Sequence, residues 1–452
     1  MSDDGRYTIR SGRASDIVEV ARLQASVQLQ PATGGSPHPG IAAWVEDLMD
    51  GHPSVTPGDF LVAEDAATGR VVAGLAGLRQ DWSLAGLRLP VAQVELVGTA
   101  PPHRGNRLTE RLFAALHQRY AADGVPVQMI EGIPYFYRRL GYEYALAGDG
   151  AATVTAVAPE VAATVPATAP EVAAVAHDQP GGWTARPATV ADTDALAAID
   201  GRLTGGDAWS CPRDAAVWRY EIGGRRDADI ARRTVAVVVR DGRVGGYLVH
   251  GARLSAAGEL IVVAAACREP ADWVRAAPVM YAHLGHVGRQ HAAPPERPFT
   301  AVRPLLDPRH PLVRLGPPGT PRRPRGWYLR TGDPAGLLAR LRPLLRDRWD
   351  AAGLRWPEPV MTIDMYGRAA RLEFRGGRLT SVTAVPGAVS PSTDPRTHAA
   401  IPPGALLQLA FGHRSLPEAL ETWPDLLPRD HLTGHFLTAA FPRVPVALWP
   451  RT

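Results

Sequence analysis

The chain has 452 residues, 45% of them apolar and 21% charged, a balance that supports several buried cores and excludes a disordered chain. Its net charge is only +4, and its 49 basic residues, all arginine, are dispersed, so neither a nucleic-acid face nor a polybasic membrane patch is expected. Two cysteines, Cys211 and Cys267, and the lack of a secretory leader read as free thiols in a cytoplasmic protein. The longest weakly polar tract, 150–176, is broken by Pro159, Glu160, Pro166, Pro170 and Glu171, so no membrane span is expected.

Tyr7-Thr8-Ile9-Arg10 opens the chain as a strand, followed by a helix bearing Ile17, Val20, Ala21 and Leu23, and Trp44 and Leu48 fall on another helix. Phe60 to Glu64 and Val71 to Leu75 form a hairpin across Thr68-Gly69. Gln93 to Thr99 is a β-branched, apolar strand stopped by Pro101-Pro102. Leu108, Leu112, Phe113, Leu116 and Tyr120 then recur at helical spacing, so a helix starts near Arg107 and ends around Ala121 to Gly124. A helix that begins right after a strand turns its free NH groups and positive dipole end toward the crevice, an anion site for a pair of phosphates. Arg104 and Arg107 add charge-assisted donors there, although an ordinary strand-to-helix turn with solvated arginines has the same composition.

After Leu146 the sequence Ala-Pro-Glu-Val-Ala-Ala occurs at 158–163 and again at 169–174, which reads as low-complexity spacer. Trp183-Thr184-Ala185-Arg186 restarts the pattern of Tyr7 to Arg10, and Asp192, Leu196 and Ile199 echo Asp16, Val20 and Leu23 at a constant offset. A second hairpin, Val235 to Arg240 and Val244 to His250, precedes Leu260 to Ala264, but the following turn has no glycine. Beyond the Pro/Arg-rich stretch at 317–326 come a leucine-rich helix from Leu337 and strands at Met361 to Met365, Ala370 to Phe374 and Leu379 to Val382. A helix from Ala405 ends at Gly412, and an apolar run from Val444 to Trp449 looks able to dock the end of the chain.

Two segments carry a resemblance: Glu95-Leu96-Val97-Gly98-Thr99 with Pro101 and Arg104, and Gly132-Ile133-Pro134-Tyr135-Phe136-Tyr137-Arg138 with Gly141-Tyr142. Together they resemble the GNAT superfamily of N-acetyltransferases, and more closely the enhanced intracellular survival acetyltransferases. The resemblance implies a mixed α/β fold in three parts: a catalytic GNAT domain (1–148) and, after a linker (149–182), a degenerate second copy (183–322), then a sterol-carrier-like domain (323–452). It implies acetyl-CoA as co-substrate and no metal, a small-molecule or peptide amine as acceptor, and a homo-oligomer. Without lysine, the chain offers itself no ε-amino targets.

The same resemblance assigns residues. Val97, Gly98 and Thr99 would meet the pantetheine arm, and Arg104, Gly105, Asn106, Arg107, Leu108, Thr109 and Glu110 would hold the pyrophosphate, with Gly132 and Ile133 beside them. The sequence departs from the family at Arg107, which stands where the key glycine belongs. Either the turn is rebuilt around Gly105-Asn106, both tolerant of positive φ, or CoA binding is weakened or lost and the chain is a non-catalytic scaffold. Gly98 reads equally well as close approach to the ligand or as packing. Tyr137 takes the position of the proton-donating tyrosine, with a core aromatic cluster as its plain alternative. For the base, the family points to the C-terminal carboxylate, here of Thr452. Glu95 is a second candidate, expected to share a face with Val97 and Thr99 but read first as a cross-strand ion pair. A lipid-carrying third domain is a weaker rival.

Overall fold

The computed structural model describes residues 5–28, 36–148, 152–155, 182–293 and 295–449, and its strands form sheets of nine, six and five strands. Strand β1 (Tyr7–Ser11) pairs antiparallel with β2 (Phe60–Asp65) after helices α1 (Ile17–Val27) and α2 (Pro39–Met49), whose apolar faces cover one side of the sheet. β3 (Arg70–Leu84) and β4 (Leu87–Thr99) form a ribbon longer than the sequence pattern suggests. Its outer half carries Trp82, Leu84, Leu89 and Val91 into a core shared with distant segments.

Helix α3 (Leu108–Ala122) returns the chain to β5 (Val127–Ile130), which runs parallel to β4 for three residue pairs, Val91 to Gln93 against Val127 to Met129. β6 (Glu143–Ala147) does not pair with β5; Gly326–Arg330, from far along the chain, fills the place between them, antiparallel to both. The sequence reading put this segment at the start of the third domain. Its side chains explain the difference: Trp327, Tyr328 and Leu329 are all buried, and two short neighbours offer an unpaired edge on each side.

The second sheet contains β7 (Val154–Thr155), β8 (Trp183–Pro187), β10 (Arg233–Arg240), β11 (Arg243–Gly251), β12 (Glu259–Cys267) and β13 (Ala301–Pro304), ordered β7-β13-β12-β11-β10-β8. Val154–Thr155 falls inside the expected spacer yet pairs with β13, whereas the repeats at 158–163 and 169–174 lie outside the described residues. The internal repeat has a physical counterpart. Arg10 grips Asp16 with two nitrogens at 2.6 and 3.0 Å, and Arg186 grips Asp192 in the same way at 2.8 and 2.8 Å. Each aspartate also accepts a backbone NH three residues upstream, from Arg13 and Thr189. Helix α4 (Thr193–Leu203) leads to β9 (Trp209–Ser210), which leaves the second sheet and bonds to β3. Helices α5 (Ala215–Arg219), α6 (Trp273–Gln290) and α7 (Pro311–Arg314) complete this part, and Gly326–Arg330 is β14.

The last part packs α8 (Pro334–Ala351) against β15 (Val360–Asp364), β16 (Arg368–Arg375), β17 (Arg378–Pro386), β18 (Ala399–Ala400) and, after α9 (Pro403–Ala410) and α10 (Leu416–Thr422), β19 (Leu427–Pro428). After α11 (His431–Ala440), β20 (Val446–Ala447) adds to β9 in parallel, so the apolar run foreseen near the end of the chain does dock. Among the described residues, no helix is long and apolar enough to cross a membrane.

Trp82, Trp209 and Phe411 join the three parts: the Trp82 ring lies 6.3 Å from each of the others, which are 5.1 Å apart. All three are fully buried. Trp82→Ala should therefore lower the unfolding free energy by about 3–5 kcal/mol, read from chemical denaturation, because it leaves an indole-sized cavity where the nine-stranded sheet packs against the last part of the chain.

Candidate active site

The site begins with one residue. Leu96 is buried and has φ 54°, a left-handed conformation that a leucine adopts only when its surroundings impose it. It is the extra residue of a bulge: Ala76 faces Glu95 and Gly74 faces Gly98, so two steps on β3 answer three on β4. The bulge bends β4, whose pairing with β5 stops at Gln93, and the two strands diverge. It also breaks the alternation of side chains. Glu95 does not share the face of Val97 and Thr99, as strict alternation would require; it opens into a separate chamber.

On one side of the divergence is a cleft of about 460 Å³. Every residue expected at the cofactor site lines it except Asn106 and Gly132. Asn106 instead braces the turn, donating from Nδ2 to the His103 carbonyl at 3.0 Å. Gly132 lies behind Tyr137; a Cβ there would come within 2.6 Å of the ring. Gly98 is needed for packing, since a Cβ would meet Val27 at 2.5 Å and Gln24 at 2.7 Å, both on α1. The neighbouring Val97 carbonyl accepts a hydrogen bond from Gln28 Nε2 at 2.9 Å.

The turn answers the question raised by Arg107. Gly105 has φ +83° and Arg107, the residue before α3, has φ 54° and ψ 26°. Arg107 thus takes the conformation a glycine would take, and its exposed side chain points away from the core. Among the described residues, none of the backbone NH groups from Gly105 to Glu110 has a hydrogen-bond partner. These donors, at the positive end of a 15-residue helix, form a concave anion site, with Arg104, Arg107 and Arg139 on its walls. Arg139 is held by Glu110 at 3.4 Å and lies 4.0 Å over the Phe136 ring. The Thr99 hydroxyl, also on the lining, is buried without a hydrogen-bond partner. A diphosphate with a polar arm fits this donor set.

Tyr137 stands on a short 3-10 turn, Phe136–Leu140, fixed at its ends by Tyr135 and Gly141 in left-handed conformations. Its ring packs 5.8 Å from Phe113 and 5.7 Å from Tyr328, while it also lines the cleft. It is both a core aromatic and a site residue. Burial, with a smaller contribution from Glu95, pushes its phenol up to about 12, so it stays protonated at neutral pH.

Across the divergence lies a smaller chamber of about 170 Å³, lined by Gln93, Glu95, Met129, Glu131 and Trp327, and by Arg233, Leu448 and Trp449 from elsewhere in the chain. Glu95 has no ion-pair partner among the described residues, contrary to the first reading of it. Gln93 Nε2 donates to Glu95 at 2.6 Å, and Gln80 Nε2 donates to Gln93 at 2.7 Å, so the carboxylate is held by a buried amide chain. Burial raises Glu95 to about 7, and the nearby Glu131 adds to the rise. Thr452 lies outside the described residues, but the chain is anchored close by: Arg213 donates to the Trp449 carbonyl at 2.7 Å and stacks on its ring at 3.5 Å.

Sequence reasoning missed Gln93, Glu131, Arg139 and Arg233. Gln93 could have been found from its spacing of two to Glu95, and Glu131 from its place beside Gly132; nothing near Arg233 pointed to a chamber in another sheet. Among the described residues, no cluster of His, Cys, Asp or Glu could hold a metal ion.

Residues 8–145 match the family model described as acetyltransferase (GNAT) domain. No curated protein matches the sequence. The full-length fold is similar to a GCN5-related N-acetyltransferase from Anabaena variabilis, at 14% identity and TM-score 0.64, covering 98% of this chain and 99% of that one. A GCN5-related N-acetyltransferase from Kribbella flavida gives 17% identity and TM-score 0.61, covering 99% and 98%. Eis1 from Mycobacterium abscessus gives 17% and 0.56, covering 97% and 99%. The N-terminal residues 8–145 thus match a GNAT acetyltransferase domain model, within a mixed α/β fold similar over nearly its whole length to these proteins.

Arg107→Gly should raise stability by about 1 kcal/mol, because it removes the left-handed strain of a residue with a Cβ. Arg107→Val, β-branched at the same φ, should lower it; thermal melts of the two variants check the pair.

Proposed function

We propose that the chain is an acetyl-CoA-dependent N-acyltransferase that moves an acetyl group to a primary amine by direct attack in a ternary complex, with Glu95 as base and Tyr137 as acid. The observation that carries this reading is that two chambers flank the β4–β5 divergence, with Glu95 and Glu131 lining one and Val97 and Ile133 the other. One holds the anion site and Tyr137, the other Glu95, and the two groups are close enough for Glu95 to shift the Tyr137 phenol. When bound, the co-substrate supplies an activated acyl group on sulfur.

The residues would divide the work as follows. Amides 105–110 and the three arginines anchor the diphosphate and so fix the reacting carbon at the divergence. Glu95, poised near neutrality, takes a proton from the incoming ammonium, directly or through one water. The amine nitrogen then forms the C–N bond as the C–S bond breaks, and Tyr137 gives its proton to the departing sulfur. Net, one C–N bond replaces one C–S bond; of the two protons the nitrogen loses, one leaves to solvent through Glu95 and the other restores the Tyr137 phenol that protonated the sulfur. The left-handed Arg107 supports this reading over that of a scaffold without CoA, because the turn keeps a glycine-like path.

Tyr137→Phe should lower kcat by about 10²–10⁴-fold while changing acetyl-CoA affinity little, measured by steady-state kinetics and calorimetry. Glu95 works as the carboxylate, so kcat/KM should rise with pH through about 7 and level off above it. Glu95→Gln should lose that limb together with most of the activity. Near wild-type turnover in either variant overturns the assignment of that residue.

A further inference from the structure

The acceptor chamber carries both signs of charge. Glu95 and Glu131 come from the first sheet, Arg233 from the start of β10 in the second, and Arg325 from the segment just before β14. Arg325 is spoken for, paired with Glu131 at 3.2 Å. Arg233 is different. Its Nη1 donates to the Ile230 and Arg232 carbonyls at 3.2 and 2.9 Å, bonds that orient the guanidinium without neutralising it. No carboxylate lies within salt-bridge distance of Arg233 among the described residues; burial and Arg225 work against its charge, and Glu221 and Asp229, both gripped by Arg225, support it from further off. A half-buried cation on a cavity wall, hydrogen-bonded among the described residues to carbonyls alone, is suited to an anion arriving from the cavity.

We propose that the acceptor is a small zwitterion, an amine that also bears a carboxylate, with its ammonium at Glu95 and its carboxylate at Arg233. This rests on the acyl-transfer reading of the same site. Size agrees: about 170 Å³ is below the roughly 300–1,000 Å³ of pockets for drug-sized ligands, and Trp327, Trp449 and Leu305 wall it. Charge agrees as well. A polyamine would bring several cations against Arg233 and Arg325, a like-charge cost that a zwitterion escapes. Arg233 is then a specificity residue, one that chooses the acceptor and takes no part in the proton transfers.

The test is calorimetric titration of the full chain, without co-substrate, using matched pairs: phenylalanine against 2-phenylethylamine, and lysine against 1,5-diaminopentane. At least one amino acid should bind about ten- to a hundredfold tighter than its decarboxylated partner, the range expected for a charge-assisted pair. Arg233→Gln should erase that difference by weakening the amino acid, with the plain amine bound as tightly as before or tighter once the like charge is gone, while Arg233→Lys should restore part of the difference. If Arg233→Gln does not fold, the wild-type pairs decide alone. Equal or tighter binding of the plain amines, or no binding by either member of any pair, overturns the proposal. Titrating CoA into the same protein separates the two readings. One CoA site with no preference within the pairs sinks only the zwitterion, whereas no CoA site sinks the transfer reading.

Discussion

The structure of the site depends on one strained residue. Leu96 in a left-handed conformation inserts an extra step into β4, and that step parts β4 from β5 and rotates Glu95 away from the face of Val97 and Thr99. The bulge coincides with the end of β4–β5 pairing at Gln93, and both chambers lie beyond that point. The strain is offset by the surroundings: Leu96 is buried among Val20, Leu48, Phe60 and Leu78, which hold the backbone where its own preference would not. The same residue therefore separates the cleft lined by Val97 and Thr99 from the chamber that holds Glu95.

The second sheet repeats the frame with different electrostatics. β11 and β12 change register between Val249 and His250, and β12 runs parallel to β13 only from Glu259 to Val262, so these strands also part. A cleft of about 400 Å³ opens there, lined by Ala264, Ala265, Ala266, Trp273 and Leu306 among others. Yet the chain entering α6 reads Glu269-Pro270-Ala271-Asp272: proline removes one NH donor and two carboxylates sit at the positive helix end. Arginines line both clefts, so what sets the first apart is its run of free amides at the start of α3.

Local features were legible in the sequence because their causes are local. The strand ending at Thr99, the helix from Leu108, the second hairpin and the Arg186–Asp192 echo of Arg10–Asp16 each follow from spacing or turn chemistry. What escaped notice was non-local. A bulge has no composition signal at Leu96, so strict alternation puts Glu95 on the wrong face. The pairing of Gly326–Arg330 between β5 and β6 depends on edges that only the folded sheet exposes. Arg233 and Trp449 reach the smaller chamber from sequence positions that share nothing with it. Gly98 could be read two ways until Val27 and Gln24 were seen against it.

The central claim is that an acyl-CoA is held by the amides of one turn, in the first sheet and not in the second. Hydrogen–deuterium exchange on the full chain, with and without acetyl-CoA, tests it most directly, because each NH reports its own bond. Addition of acetyl-CoA should strongly protect Gly105 to Glu110 and leave Arg268 to Trp273 unchanged. Unchanged exchange at Gly105 to Glu110, or protection centred on Arg268 to Trp273, would contradict it.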